Sequence, residues 1–171
     1  GAGIGGDGFG DSVGHQDGGD FGQITVAGGK IFAYGGQAAN YNYGAGAGIG
    51  GGGVESEWMY SGRIVINDGM IEATGGSDYN GFCGAAGIGA GSSDSSSATF
   101  SDDLTIEITA GTVKAQGGTS AAGIGGSVNG ASGSIEISGG NITATGGVDD
   151  VWAGAGIGGG DNGSSGSIHI G

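Results

Sequence analysis

A fourteen-residue phrase recurs along this chain and leaves few folds open to it. Its clearest copy runs from Ser134 to Gly147 (SIEISGGNITATGG); others run from Gln23 to Gly36, Arg63 to Gly76 and Thr105 to Gly118, with a truncated copy from Ser167 to Gly171. Each full copy holds two short runs in which apolar and polar residues alternate, each run closed by glycine, which is the period-2 pattern of half-buried strands. Between copies stands a second phrase, Ala-Gly-Ile-Gly, beginning at Ala2, Ala47, Ala86, Ala122 and Ala155. Phrases that recur in fixed order at this period mark a solenoid.

Aligned on one another, the copies give ladders of like residues. Ile24, Ile64, Ile106, Ile135 and Ile168 form one; Val26, Ile66, Ile108, Ile137 and Ile170 a second; Ile31, Ile71, Val113 and Ile142 a third, with Ala33, Ala73, Ala115 and Ala144 beside it. The shorter phrase adds its alanines and Ile4, Ile49, Ile88, Ile124 and Ile157. Three short strands per turn, with like stacked on like at the roughly 4.8 Å spacing of paired strands, describe an all-β, three-sided parallel β-helix of about four and a half turns, roughly 20 Å long. The alanines beginning the shorter phrase lie 45, 39, 36 and 33 residues apart, although the strand phrases keep one length. The variation therefore falls in two sets of corner loops. One comprises 7–21, 52–62, 91–103, 127–133 and 161–166; the other comprises 37–43, 77–83, 119–120 and 148–153.

Composition narrows the function classes. There are 50 glycines and no proline, without the three-residue period of collagen. So much glycine is compatible with order only where corners and close backbone approaches require it. The net charge of −14 sets Lys30, Arg63 and Lys114 against seventeen acidic residues, which disfavours nucleic acid and anionic membrane surfaces and makes cations the natural small partners. The single cysteine, Cys83, admits no internal disulfide and is expected to be a small buried apolar group. No apolar run reaches membrane-spanning length, so membrane insertion is not expected. Residues 1–171 read as one solenoid domain, a piece of a longer repeat protein whose ends are open to stacking on further repeats.

The motifs Gly46-Ala47-Gly48-Ile49-Gly50-Gly51 and Gly154-Ala155-Gly156-Ile157-Gly158-Gly159, each set among GxIxIxGGxIxAxGG phrases, resemble the glycine-rich repeats of large bacterial or phage surface proteins. That resemblance covers essentially the whole chain. It implies a right-handed β-helix that is exported, displayed at a cell or phage surface, and of adhesin or carbohydrate-binding type.

Two groups of residues are candidate sites. In the second set of loops, Asn40-Tyr41-Asn42-Tyr43, Asp78-Tyr79-Asn80-Gly81-Phe82 and Asp149-Asp150-Val151-Trp152 fall at one corner on turns one, two and four. Aromatic faces beside amides and carboxylates suit sugar rings, which offer C–H faces and a rim of hydroxyls. Tyr41, Tyr43, Asp78, Tyr79, Phe82, Asp149 and Trp152 are thus expected to contact a ligand, extended by Phe32 and Tyr34 on the strand leading into the corner. The bland alternative is that these rings fold back over the glycine corners. Thr119-Ser120 on turn three is too short to carry a ring and is expected to leave a gap. The second group is Glu107 and Glu136, aligned on adjacent rungs with His169 one further; two carboxylates about 5 Å apart repel, and a metal cation would relieve them. Solvated, splayed carboxylates are the simpler reading.

Calcium is the one cofactor admitted, through loop acids such as Asp17, Asp20, Asp102 and Asp103. The stretch Gly5 to Asp11 departs from the calcium-binding nonapeptide, because Gly10 stands where the aspartate belongs. The expectation is a non-catalytic, extracellular or cell-surface binding module for a glycan or a surface protein, with a purely structural spacer as the second reading. A polysaccharide lyase or hydrolase is more remote, because its chemistry needs acids clustered with Arg or Lys and these acids are dispersed. An ice-binding solenoid is also remote, because the outward rows Thr25, Val65, Glu107, Glu136, His169 and Phe32, Glu72, Lys114, Thr143 are irregular.

Overall fold

A computed structural model of the chain describes residues 1–7, 21–38, 44–54, 62–78, 81–93 and 103–171. Among them the regular structure is entirely β. In chain order the strands are β1 (Ile4–Gly5), β2 (Gly22–Val26), β3 (Lys30–Tyr34), β4 (Ile49–Gly50), β5 (Gly62–Ile66), β6 (Met70–Thr74), β7 (Ile88–Gly89), β8 (Leu104–Ile108), β9 (Thr112–Gln116), β10 (Ile124–Gly125), β11 (Ser134–Ile137), β12 (Asn141–Thr145), β13 (Ile157–Gly158) and β14 (Ser167–Ile170). They pair in parallel as three sheets, β1-β4-β7-β10-β13, β2-β5-β8-β11-β14 and β3-β6-β9-β12. The chain passes through the sheets in turn and returns to each one rung along. The fold is a three-sided parallel β-helix, with four complete turns and one further strand at each end.

The register is the one the repeated phrases dictate. Ile64 pairs with Ile24 and Ile106, Ile71 with Ile31 and Val113, and Ile88 with Ile49 and Ile124. Each interior ladder residue has a like residue above and below it, so Ile49, Ile64, Ile66, Ile88, Ile106, Ile108 and Ile124 are fully buried. Ladder residues of the end rungs lack one neighbour, which is why Ile24, Ile31, Ile142 and Ile157 are only partly buried and Ile4, Ile168 and Ile170 are exposed. Two positions depart from the alternation. Val65 faces outward by register yet is only 6% exposed. Leu104 stands where other copies have Gly22, Gly62, Gly133 and Gly166, and it enters the core as an extra apolar group.

The Ala-Gly-Ile-Gly phrase makes a two-residue strand because the rest of it is a tight bend. The alanine N–H donates to the carbonyl four residues ahead in every copy: Ala2 to Gly6, Ala47 to Gly51, Ala86 to Ala90, Ala122 to Gly126 and Ala155 to Gly159, at 2.9 to 3.1 Å. The last glycine of the phrase sits at φ from +127° to +137°. At Gly89 a methyl would also stand 2.1 Å from the Gly125 carbonyl oxygen of the next rung, so the position excludes any side chain twice over.

A relay of backbone bonds closes the second corner. In each turn the residue returning from the loop donates to the residue that left for it: Gly46 to Gly36, Ala85 to Gly76, Ala121 to Gly118, Gly154 to Gly147. Each outgoing residue donates in turn to the preceding rung, Gly36 to Gly1, Gly76 to Gly46, Gly118 to Ala85 and Gly147 to Ala121. The zigzag continues along the rod whatever length of loop lies outside it. A doubling of loop length costs only about 0.6 kcal/mol in closure entropy, so this corner carries different loops on one base.

Candidate functional site

Two of those loops are miniature hairpins that present aromatic rings. Loop 77–84 is closed by an antiparallel bridge between Ser77 and Gly84, and loop 148–153 by one between Val148 and Ala153. Both use the same internal device. Asp78 Oδ1 accepts the Phe82 backbone N–H at 2.7 Å, and Asp149 Oδ1 accepts the N–H groups of Val151 and Trp152 at 2.6 Å each. An aspartate at the start of each loop therefore holds the backbone of the residue that carries the ring. The bonds from Trp152 and then Val151 hold the Asp149 carboxyl below its ordinary value, the Ser120 hydroxyl adding a smaller contribution against partial desolvation.

Between the two loops, turn three crosses the corner with Thr119 and Ser120 alone. Ser120 takes a left-handed φ of +58°, unusual for a residue with a side chain. Its buried hydroxyl lies 3.4 Å from both Asp149 Oδ2 and the Trp152 carbonyl. Thr119 is tied to turn two, its hydroxyl 3.0 Å from that of Ser77. The short loop is thus a floor that ties the ring-bearing loops on both sides to the rod.

The gap expected over turn three is bridged. Rungs two and four lie about 9.6 Å apart at the usual strand spacing, yet the centroids of Phe82 and Trp152 are 6.4 Å apart, in an edge-to-face arrangement at 63°. The rings lean toward each other above Thr119 and Ser120. They do not fold back onto the glycine corners: Phe82 is 55% and Trp152 45% exposed, and Val148 and Val151 beside them are exposed as well. Tyr41, Tyr43 and Tyr79, with Asn40, Asn42 and Asn80, lie outside the described residues. Phe32 and Tyr34 are on the outer face of β3, 52% and 62% exposed, with the Lys30 ammonium 4.9 Å from the Phe32 ring centre.

The other candidate group has a neighbour that its expectation did not include. Glu107 does pair in register with Glu136, and Glu136 with His169. Glu107, however, forms an ion pair with Arg63 of the rung before, so the repulsion that called for a metal is answered by a guanidinium. The described residues contain no group of three or more His, Cys, Asp or Glu placed to hold a metal. Asp103 is exposed, and Asp17, Asp20 and Asp102 lie outside the described residues. Cys83 is half-buried where full burial was expected, because it lies on the rim of loop 77–84; its carbonyl accepts from the Asp78 N–H at 3.0 Å and the Ser92 hydroxyl at 3.3 Å.

Sequence reasoning found the rings but missed what positions them. Ser120 and the capping roles of Asp78 and Asp149 depend on bonds between loops or to loop backbone, which no ladder of like residues announces. The Asp-to-aromatic spacing in both loops was the available signal.

A family model described as a beta helix repeat matches residues 64–92, 106–128 and 135–161. Each match spans one turn of the rod, from the first isoleucine of its longer strand past the Ala-Gly-Ile-Gly bend. No curated protein and no solved structure matches the chain. These three stretches are a β-helix repeat region.

Proposed function

We infer that this protein is a non-catalytic binding module, displayed outside the cell or at its surface, that takes a glycan at the corner formed by Phe82 and Trp152. The observation that carries the reading is the contact of these two half-exposed rings across a turn whose loop is cut to two residues. Rings that served only to cover the rod would lie against it; these leave about half of their surface to solvent, on a base fixed by the backbone relay. Sugar C–H faces stack on such rings, and the free oxygens of Asp78 and Asp150 are within the same loops to meet hydroxyls. A non-catalytic role accords with the ion pairs of Arg63 with Glu107 and Lys114 with Glu72, which engage two of the three basic groups on the outer faces of the sheets.

The test is a glycan array probed with the intact chain and with Phe82→Ala and Trp152→Ala. The reading predicts at least one glycan class bound by the parent and lost by both variants, with melting temperatures within a few degrees of the parent. Binding that survives both substitutions moves the site elsewhere. An array with no bound glycan favours the spacer reading, which the rung-to-rung hydrogen bonding through the second corner also supports.

A further inference from the structure

The corner that carries the rings is uniformly acidic. Residues 77–84, 119–120 and 148–153 include Asp78, Asp149 and Asp150 and no Lys, Arg or His. The basic residues of the chain stand on strands instead, Lys30 over Phe32, Arg63 on Glu107 and Lys114 on Glu72. The faces of Phe82 and Trp152 therefore have no cation of the protein's own from these loops, although an aromatic face is negative at its centre and attracts one. Lys30 over Phe32 shows the same chain satisfying an outer ring in that way.

The carboxylates stand at the feet of the rings. Asp78 Oδ1 is 2.7 Å from the Phe82 backbone nitrogen and Asp149 Oδ1 is 2.6 Å from the Trp152 backbone nitrogen, while Asp150, next to Asp149 in the chain, is exposed. Backbone N–H groups hold Asp149 ionised and fix its place relative to the indole. A neutral sugar would use the ring faces and leave the exposed Asp150 carboxylate without a counter-charge. An ammonium group would use both, because attraction to the rings and to the carboxylates adds.

We propose that the ligand of this corner carries an organic ammonium group, as an amino sugar with a free amine does, seated against Phe82 and Trp152 with Asp149 and Asp150 as its counter-charges. This rests on the reading of the corner as a glycan-binding surface. The partner's positive charge is the complement of a chain with net charge −14.

Calorimetric titration of the intact chain with a glucosamine dimer, and separately with its N-acetylated counterpart, separates the two ideas at mildly acid pH, where the free amines are protonated. The expected result is affinity at least tenfold higher for the amine form, reduced severalfold by Asp150→Asn and lost in Trp152→Ala, with melting curves of both variants close to the parent. Equal or tighter binding of the acetylated form overturns the ammonium assignment and leaves the glycan reading standing. Amine binding that is unchanged in Trp152→Ala is diffuse attraction to an acidic chain and overturns the site assignment. If neither dimer binds, the ammonium assignment is overturned, and the array decides whether the glycan reading survives.

Discussion

Ile108 and Gly89 show how differently single residues hold this rod together. Ile108 is fully buried between Ile66 and Ile137, so Ile108→Ala removes transfer energy and leaves a cavity between rungs that backbone pairing prevents from closing. The expected cost is about 2–5 kcal/mol, measured by urea denaturation; a neutral result would place the alternation one residue out of register. Gly89→Ala combines a φ of +137° with a 2.1 Å approach to the Gly125 carbonyl oxygen, and should cost about 3 kcal/mol or more. Gly29→Ala has a φ of +92° but open space around the new methyl, so it should cost about 1 kcal/mol. Similar losses for the two would mean that rung spacing at the bend is looser than described. At the site, Asp149 has a folded value below its ordinary 3.8, so its contribution to loop 148–153 is fully present above that ordinary value and is lost as pH falls through the lower folded one. The amide resonances of Val151 and Trp152 should report this loss in an acid titration, and Asp149→Asn should abolish the pH dependence.

At the scale of elements, the longer strands were legible because burial on one face writes itself as alternation. Ile64, Ile71 and Ile106 can be assigned to ladders, and hence to sheets, from the sequence alone. The Ala-Gly-Ile-Gly element was legible as a repeat but not as a bend, since its defining bonds join backbone groups and leave no side-chain pattern. The same holds for the relay through Gly36, Gly76, Gly118 and Gly147, where a glycine pair signals a corner but not its partner. The site was half legible: Phe82 and Trp152 were placed at one corner, but their contact follows from the brevity of turn three, which alone reads as a gap. Replacement of 148–153 by Thr-Ser, the length that turn three carries, should leave the far-UV circular dichroism intact and the melting temperature within a few degrees, because the Gly154 to Gly147 bond remains. Loss of cooperative unfolding would show that the loop, and not the relay, closes the corner.

For the whole molecule, the resulting picture is a regular β-rod with loops of different length at its corners and an acidic net charge. With net charge −14 on a short rod, self-repulsion opposes folding, so added salt should raise the melting temperature by screening it. Millimolar calcium should raise the temperature further than matched ionic strength only if the loops bind the ion. The division between rod and loops is most directly tested by residue-resolved amide hydrogen exchange on the intact chain. Ile49, Ile88 and Ile124 at the bends, and Gly76, Gly118 and Gly147 in the relay, should be protected to the same global level as β5 and β8, while Val151 should exchange through local opening of its loop. Protection confined to the longer strands, with bends and relay exchanging as fast as Val151, would contradict it.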